Sequence, residues 1–144
     1  VRWRSRGQLA LFVDASVHID RFVRNLRVCA RRVGHLLSED TQPIPELATA
    51  LRQLADGVEQ LHTELMDVRD PVNSRREAVA AVESVTPLLQ RDPSLDVTVA
   101  IAQVRSMAID LLRAAGVDND DALDAVKAAA GEADLDADLD DEDD

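Results

Sequence analysis

The chain predicts an all-α fold: an antiparallel bundle of four long helices, a short fifth helix and a disordered acidic tail. Three observations carry this expectation. Apolar residues recur at alternating steps of three and four through most of the 144 residues, the spacing of one helix face. Aromatic residues make up only 2%, so Leu, Val and Ala must fill the core, which favours packed helices over a sheet. Gly and Pro number five each, too few for the many turns of an all-β domain. With 46% apolar residues the composition is one that folds, and the length suits one domain. The bundle is expected over 1–130 and the tail over 131–144.

The first helix is expected over 3–37. Phe12, Ala15, Ile19, Phe22, Leu26, Cys29, Val33 and Leu36 form its seam, widened by Val23, Ala30 and Leu37. Such a helix is about 50 Å long. The apolar run at 9–13 covers most of a turn, so this end should touch more than one neighbour. Pro45 is well placed as the first residue of a second helix reaching to about 69, because its missing N–H costs nothing there. Leu47, Leu51, Leu54, Val58, Leu61, Leu65 and Val68 form the second seam. The short connection between the two predicts an antiparallel hairpin, with Leu26 and Leu61 buried in mid-seam.

Ser74 and Glu77 fit a capping box for the third helix, whose seam is Ala78, Val82, Val85 and Leu89. Pro87 falls inside that pattern and predicts a kink or break near Thr86. The fourth helix is expected from Asp92 and Pro93 to about 115. Its apolar residues lie on more than one face, which predicts the most buried position in the bundle. Gly116 is a natural stop, Asp118 a natural N-cap, and a fifth helix is expected over 119–130. Beyond Gly131 the chain is nearly all Asp, Glu, Ala and Leu. Like charges repel there and little apolar area remains.

The net charge of −12 is unevenly placed. Residues 1–37 carry eight Arg against Asp14 and Asp20, whereas residues 118–144 carry thirteen acids against Lys127 alone. Overall acidity argues against nucleic acid as a partner, since affinity for it comes from phosphate neutralisation. No apolar stretch approaches the roughly 20 residues that span a bilayer, and none reads as a signal-peptide h-region.

Chemistry-bearing motifs are sparse, and no catalytic role is expected. Glu59 and His62 have the Glu-x-x-His spacing of di-iron bundles, but those sites need two such pairs and two further Glu. His18 and His35 have no His or Cys at metal spacing. The alternating Asp134, Asp136, Asp138 and Asp140 lack the glycine and terminal Glu of a calcium loop. Cys29 lies on the apolar face and reads as a buried structural thiol. No cofactor or metal site is expected. Arg21, Arg24, Arg27 and Arg31 project away from the first seam with Arg32 at its flank. This is a solvated face in the plain reading and a contact surface for acidic protein or lipid in the other. Arg2, Arg4 and Arg6 beside Trp3 suit the cytoplasmic interface of a membrane. A chain opening on this cluster without Met reads as a piece of a longer protein, just beyond a membrane.

The run 14–32 resembles a segment of the fusaric-acid-resistance-like (FUSC) membrane proteins of actinobacteria. Its closest part is Asn25, Leu26, Arg27 and Val28 followed by Ala30, Arg31 and Arg32. Pro45, Glu46, Leu47, Ala50, Leu51, Leu54 and Ala55 continue the similarity. Val104, Arg105 and the run 110–116 look like the last long helix of that region. The similarity covers roughly residues 1–126. It implies the C-terminal cytosolic part of an inner-membrane protein related to aromatic-acid exporters, with a packing, assembly or gating role in efflux of aromatic or other organic acids. The implied partners are the membrane-embedded part of the same polypeptide, a second copy of the chain and, weakly, anionic lipid. The competing class is a stand-alone helical module that docks a partner through the arginine face.

Overall fold

The structure, a computed structural model, describes residues 2–38 and 42–132, with side chains given for Gly7 and from Leu9 onward. The expected acidic tail lies, from residue 133 on, outside the described residues, as do the side chains of Arg2, Trp3, Arg4 and Arg6. Five α-helices follow one another: α1 Arg2–Ser38, α2 Pro45–Met66, α3 Val72–Val85, α4 Leu95–Ala114 and α5 Asn119–Ala129. A 3₁₀ segment, Thr86–Arg91, continues α3 where Pro87 removes a backbone donor. There is no strand among the described residues.

The helix ends share one device. After α4, Gly116 N–H donates to Arg113 O and Val117 N–H to Leu112 O, each at 3.0 Å, with Gly116 left-handed at φ +80. After α5, Gly131 at φ +72 makes the same pair of bonds, to Ala128 O and with Glu132 N–H to Lys127 O. This is the Schellman motif, whose left-handed residue is usually glycine. α2 ends the same way, Val68 N–H reaching Leu65 O and Arg69 N–H reaching Glu64 O, but the left-handed residue is Val68 at φ +55. A β-branched residue there is an outlier. The second helix therefore stops at Met66, short of the expected 69, and Val68 is 68% exposed where the seam pattern placed it inside.

The capping box expected at Ser74 and Glu77 does not form. α3 starts at Val72, so Ser74 is its third residue, fully buried and with an unpaired Oγ. Its N-terminus is satisfied from across the turn. Glu64, 2% exposed at the end of α2, accepts Asn73 N–H at 2.9 Å and Ser74 N–H at 3.2 Å. A carboxylate at a helix N-terminus meets both the free donors and the positive end of the helix dipole.

Helix pairing departs from the expected hairpin. α1 packs along α4, and α2 packs along α3. Both pairs run antiparallel: Asn25 meets Asp110 while Arg32 meets Asp96, and Gln53 meets Ser84 while Glu64 meets Ser74. α1 and α2 approach each other near their connection, where Val33, Leu36 and Leu37 share an apolar groove of about 250 Å³ with Ile44, Leu47 and Leu51. The physical reason is visible on α2. Its Ala50, Gly57 and Glu64 present a row of small residues ending in a cap, which lets α3 and α4 come close. A Cβ added at Gly57 would stand 2.7 Å from Leu111 Cδ2 and 3.2 Å from Glu77 Cβ.

With α2 committed to α3, the seam of α1 is rotated from its expected centre. Ala15, Phe22, Cys29 and Leu36, seven residues apart, are buried. Phe12, Ile19 and Val33 on the neighbouring row are only half-buried, and Leu26 is 41% exposed. α4 is the buried centre. Half of its twenty residues are buried, and α1, α2, α3 and α5 all pack on it.

Two outcomes follow. Leu61→Ala, at a site 3% exposed, should lower stability by about 2–5 kcal/mol in a urea melt. Leu26→Ala should lose well under half of that, and equal losses would contradict the rotated seam. Val68→Gly removes a left-handed penalty of about 1–2 kcal/mol and adds a glycine entropy cost of roughly 0.5–1 kcal/mol, so stability should rise by at most about 1.5 kcal/mol, read as a higher urea midpoint. A lower midpoint would show that Val68 earns its place by contacts.

Candidate functional site

The α1–α4 seam has two rows of different chemistry. Beside the apolar row of α1 runs a polar one, His18, Asn25 and Arg32, again seven residues apart. α4 answers with Asp110, Gln103 and Asp96 at the same spacing. Asn25 Nδ2 donates to Asp110 Oδ2 at 2.8 Å. Arg32 Nη1 donates to Asp96 Oδ1 at 3.2 Å, and His35 Nδ1 lies 3.3 Å from Asp96 Oδ2. His18 and Asp110 are each only 7% exposed. His18 Nδ1 and Gln103 Oε1 are buried without a hydrogen-bond partner among the described residues.

Burial sets the electrostatics of the inner pair. It pushes the His18 imidazole below its ordinary value, helped by Arg113 and Arg21 and opposed by Asp14 and Asp110. It pushes the Asp110 carboxyl up, against the hydrogen bond from Asn25 and the charges of Arg21, His18 and Arg113. Arg21 of α1 and Arg113 of α4 thus flank the same buried pair. Such a cluster can take up or release a proton. Neither His18 nor Asp110 lines the apolar groove between α1 and α2.

The expected arginine face divides. Arg21, Arg24, Arg27 and Arg31 are exposed and make no ion pair or hydrogen bond among the described residues. Arg32 does not belong with them, because Asp96 holds it against α4. The basic cluster Arg2, Trp3, Arg4 and Arg6 occupies the first turns of α1.

These turns overhang the bundle. α4 ends at Ala114, and its closing turn at Gly116 lies beside Leu11 and Phe12, so residues 2–10 of α1 project past it for roughly 13 Å. Leu9, Leu11, Val13 and Val17 are 64%, 55%, 58% and 49% exposed. At the root of the overhang lies a groove of about 420 Å³. Leu11 and Phe12 form one side, Leu65, Val68 and Pro71 another, and the end of α4 the third. Arg75 closes it underneath: Nε and Nη2 donate to Ala115 O at 3.1 and 2.7 Å, and Nη1 pairs with Asp70 at 2.9 Å. This places a cation on the carbonyl end of α4, where the helix dipole favours it.

The remaining candidates stay apart. Glu59 and His62 are exposed on α2. His18 and His35 sit in different parts of the seam, the latter on Asp96. Cys29 is 1% exposed and burial raises its thiol. Among the described residues no three His, Cys, Asp or Glu gather at metal-holding distance. Among them, too, no helix is long and apolar enough to cross a membrane. Sequence reasoning missed Asn25, Asp96, Gln103 and Asp110. The signal was there in the two polar rows at seven-residue spacing, which only gain meaning when α1 and α4 are neighbours. Comparison with protein-family models, with curated proteins and with solved structures gives no match.

The pair predicts a pH effect with a definite sign. The folded-state value of His18 lies below 6.5, so the unfolded chain takes up this proton first. The contribution of neutral His18 is complete above 6.5 and is lost as pH falls through the lower folded value. Asp110 acts in the reverse sense: its raised value favours the fold when protonated, and that contribution fades as pH rises through the folded value from 3.8. Urea midpoints of the wild type should therefore drop on acidification below 6.5 more steeply than those of His18→Leu. Parallel pH profiles for the two proteins would place the titration elsewhere.

Proposed function

We propose that this chain is the cytosolic helical domain of a multi-pass, inner-membrane, transporter-like protein of the FUSC type, acting in efflux of aromatic or other organic acids. The domain serves packing, assembly or gating and performs no chemistry. In that role the four long helices act as one antiparallel bundle on the cytoplasmic face of the plasma membrane. One observation carries the reading: the first turns of α1 extend beyond the bundle, and from the end of that overhang onward Leu9, Leu11, Val13 and Val17 are left exposed among the described residues. Apolar side chains on several sides of a projecting helix suit a segment received by other helices. The resemblance of residues 14–32 supplies the family, and the membrane-embedded part of the same polypeptide is the partner.

A second reading has its own support. The exposed Arg21, Arg24, Arg27 and Arg31 lack carboxylate partners among the described residues, which suits a stand-alone module that binds an acidic protein surface. The two readings separate on vesicles. In the membrane reading, the chain should bind phosphatidylserine-containing vesicles weakly at low ionic strength, through Arg2, Arg4 and Arg6, each worth on the order of 1 kcal/mol near the surface. Replacing these three by Ala should abolish sedimentation with the vesicles, as should added salt, which shortens the reach of the charges. Binding that survives the triple substitution, or that is lost only when Arg24 and Arg27 are replaced, would favour the module.

A further inference from the structure

We propose that the acidic C-terminal segment, residues 133–144, docks in the same molecule on a basic strip made by Arg113 of α4 and Arg21, Arg24 and Arg27 of α1. The segment starts at the edge of that strip. α5 closes on Gly131, and Glu132 forms an ion pair with Arg105 Nη2 at 2.8 Å, so the last described residue is already held on α4. Arg105, Ile109 and Arg113 follow at steps of four along one face of α4, and Arg113 stands about 12 Å from Arg105 at the helical rise. Asn25 of α1 bonds Asp110 of α4 at 2.8 Å, and on these antiparallel helices Arg21 and Arg113 each lie about one turn from that contact toward the same end, so the strip passes from α4 onto α1 there.

Charge selects the occupant. All eight charged residues of 133–144 are Asp or Glu. Arg32, Arg69, Arg75, Arg91 and Arg105 each hold a carboxylate, whereas Arg21, Arg24 and Arg27, like Arg31, Arg52 and Arg76, hold none among the described residues. The reach suffices, since twelve extended residues span at most about 40 Å. The sequence also alternates Asp134, Asp136, Asp138 and Asp140 with Leu135, Ala137 and Leu139. Tethering keeps the segment at high effective concentration near the strip, although each exposed ion pair is weak.

The test uses the full chain, enriched in nitrogen-15 and carrying Asp141→Cys with a nitroxide label. Wild type serves as the labelling control for the buried Cys29. At low salt the amide signals of residues 21–27 and of Arg113 should lose at least half their intensity, while those in the middle of α2 are unchanged. The loss should disappear in about 0.5 M salt, where charges are screened within a few ångströms. It should also disappear in Arg24→Glu/Arg27→Glu, whose exposed sites leave the fold intact, as a dispersed amide spectrum of that variant would verify. No broadening on the strip, or broadening indifferent to salt or to charge reversal, overturns the proposal. Broadening that arises only between labelled and isotope-enriched chains in a mixture moves the segment to a second copy and overturns docking within one molecule. The outcome is independent of the membrane proposal, because the vesicle experiment depends on Arg2, Arg4 and Arg6, which this one leaves untouched.

Discussion

α1 is held to the bundle by a seam that is apolar along one row and polar along the next. Ala15, Phe22, Cys29 and Leu36 bury their side chains, and on the adjoining row Asn25 and Arg32 bond Asp110 and Asp96 of α4, with His18 buried beside them. An apolar row alone would tolerate sliding by one heptad. A buried carboxylate does not, because leaving Asp110 without Asn25 would expose its full desolvation cost. Buried polar pairs are best attested as devices for register, and here the register of a 37-residue helix depends on one.

That choice of partner shapes everything around it. With α1 on α4, α2 is free to close on α3, where Gly57 permits close approach and Glu64 supplies the cap that Ser74 does not. The row of α1 containing Leu26 is left without a long neighbour and stays half open. α4, packed by four other helices, carries the core. Its C-terminus is tied by Arg75 to α3, and its end at Gly116 determines where α1 begins to project.

Three surfaces result, with different chemistry. The N-terminal part of α1 opens on the basic cluster around Trp3 and continues into exposed Leu9, Leu11, Val13 and Val17. The middle of α1 carries arginines with no ion pair among the described residues. The inner seam holds a histidine that resists protonation and an aspartate that resists ionisation. A domain built this way has the parts to be positioned, to be recognised by acidic groups and to respond to pH. This suits the packing, assembly or gating role proposed for it.

Much of the secondary structure was legible in the chain. Steps of three and four marked the helices, Pro45 opened α2, Pro87 ended α3, and Gly116 closed α4, because these signals act within a few residues. The end of α2 misled, since nothing local announces that Val68 will accept a left-handed conformation. Ser74 misled because a carboxylate ten residues earlier was the better acceptor for the start of α3. Among the site residues, the exposed arginines were visible, but the part of Arg32 was not. Helix pairing was the largest difference. A short connection and two matching apolar seams pointed to α1 on α2, yet both seams are generic and would fit several partners. What chose α4 was the coincidence of two polar rows some eighty residues apart, and of small residues on α2 that suit α3. By itself, then, the sequence determined which segments are helical and which faces are apolar. Only the tertiary structure decided which faces meet, because that depends on complementarity between distant rows that no local pattern expresses.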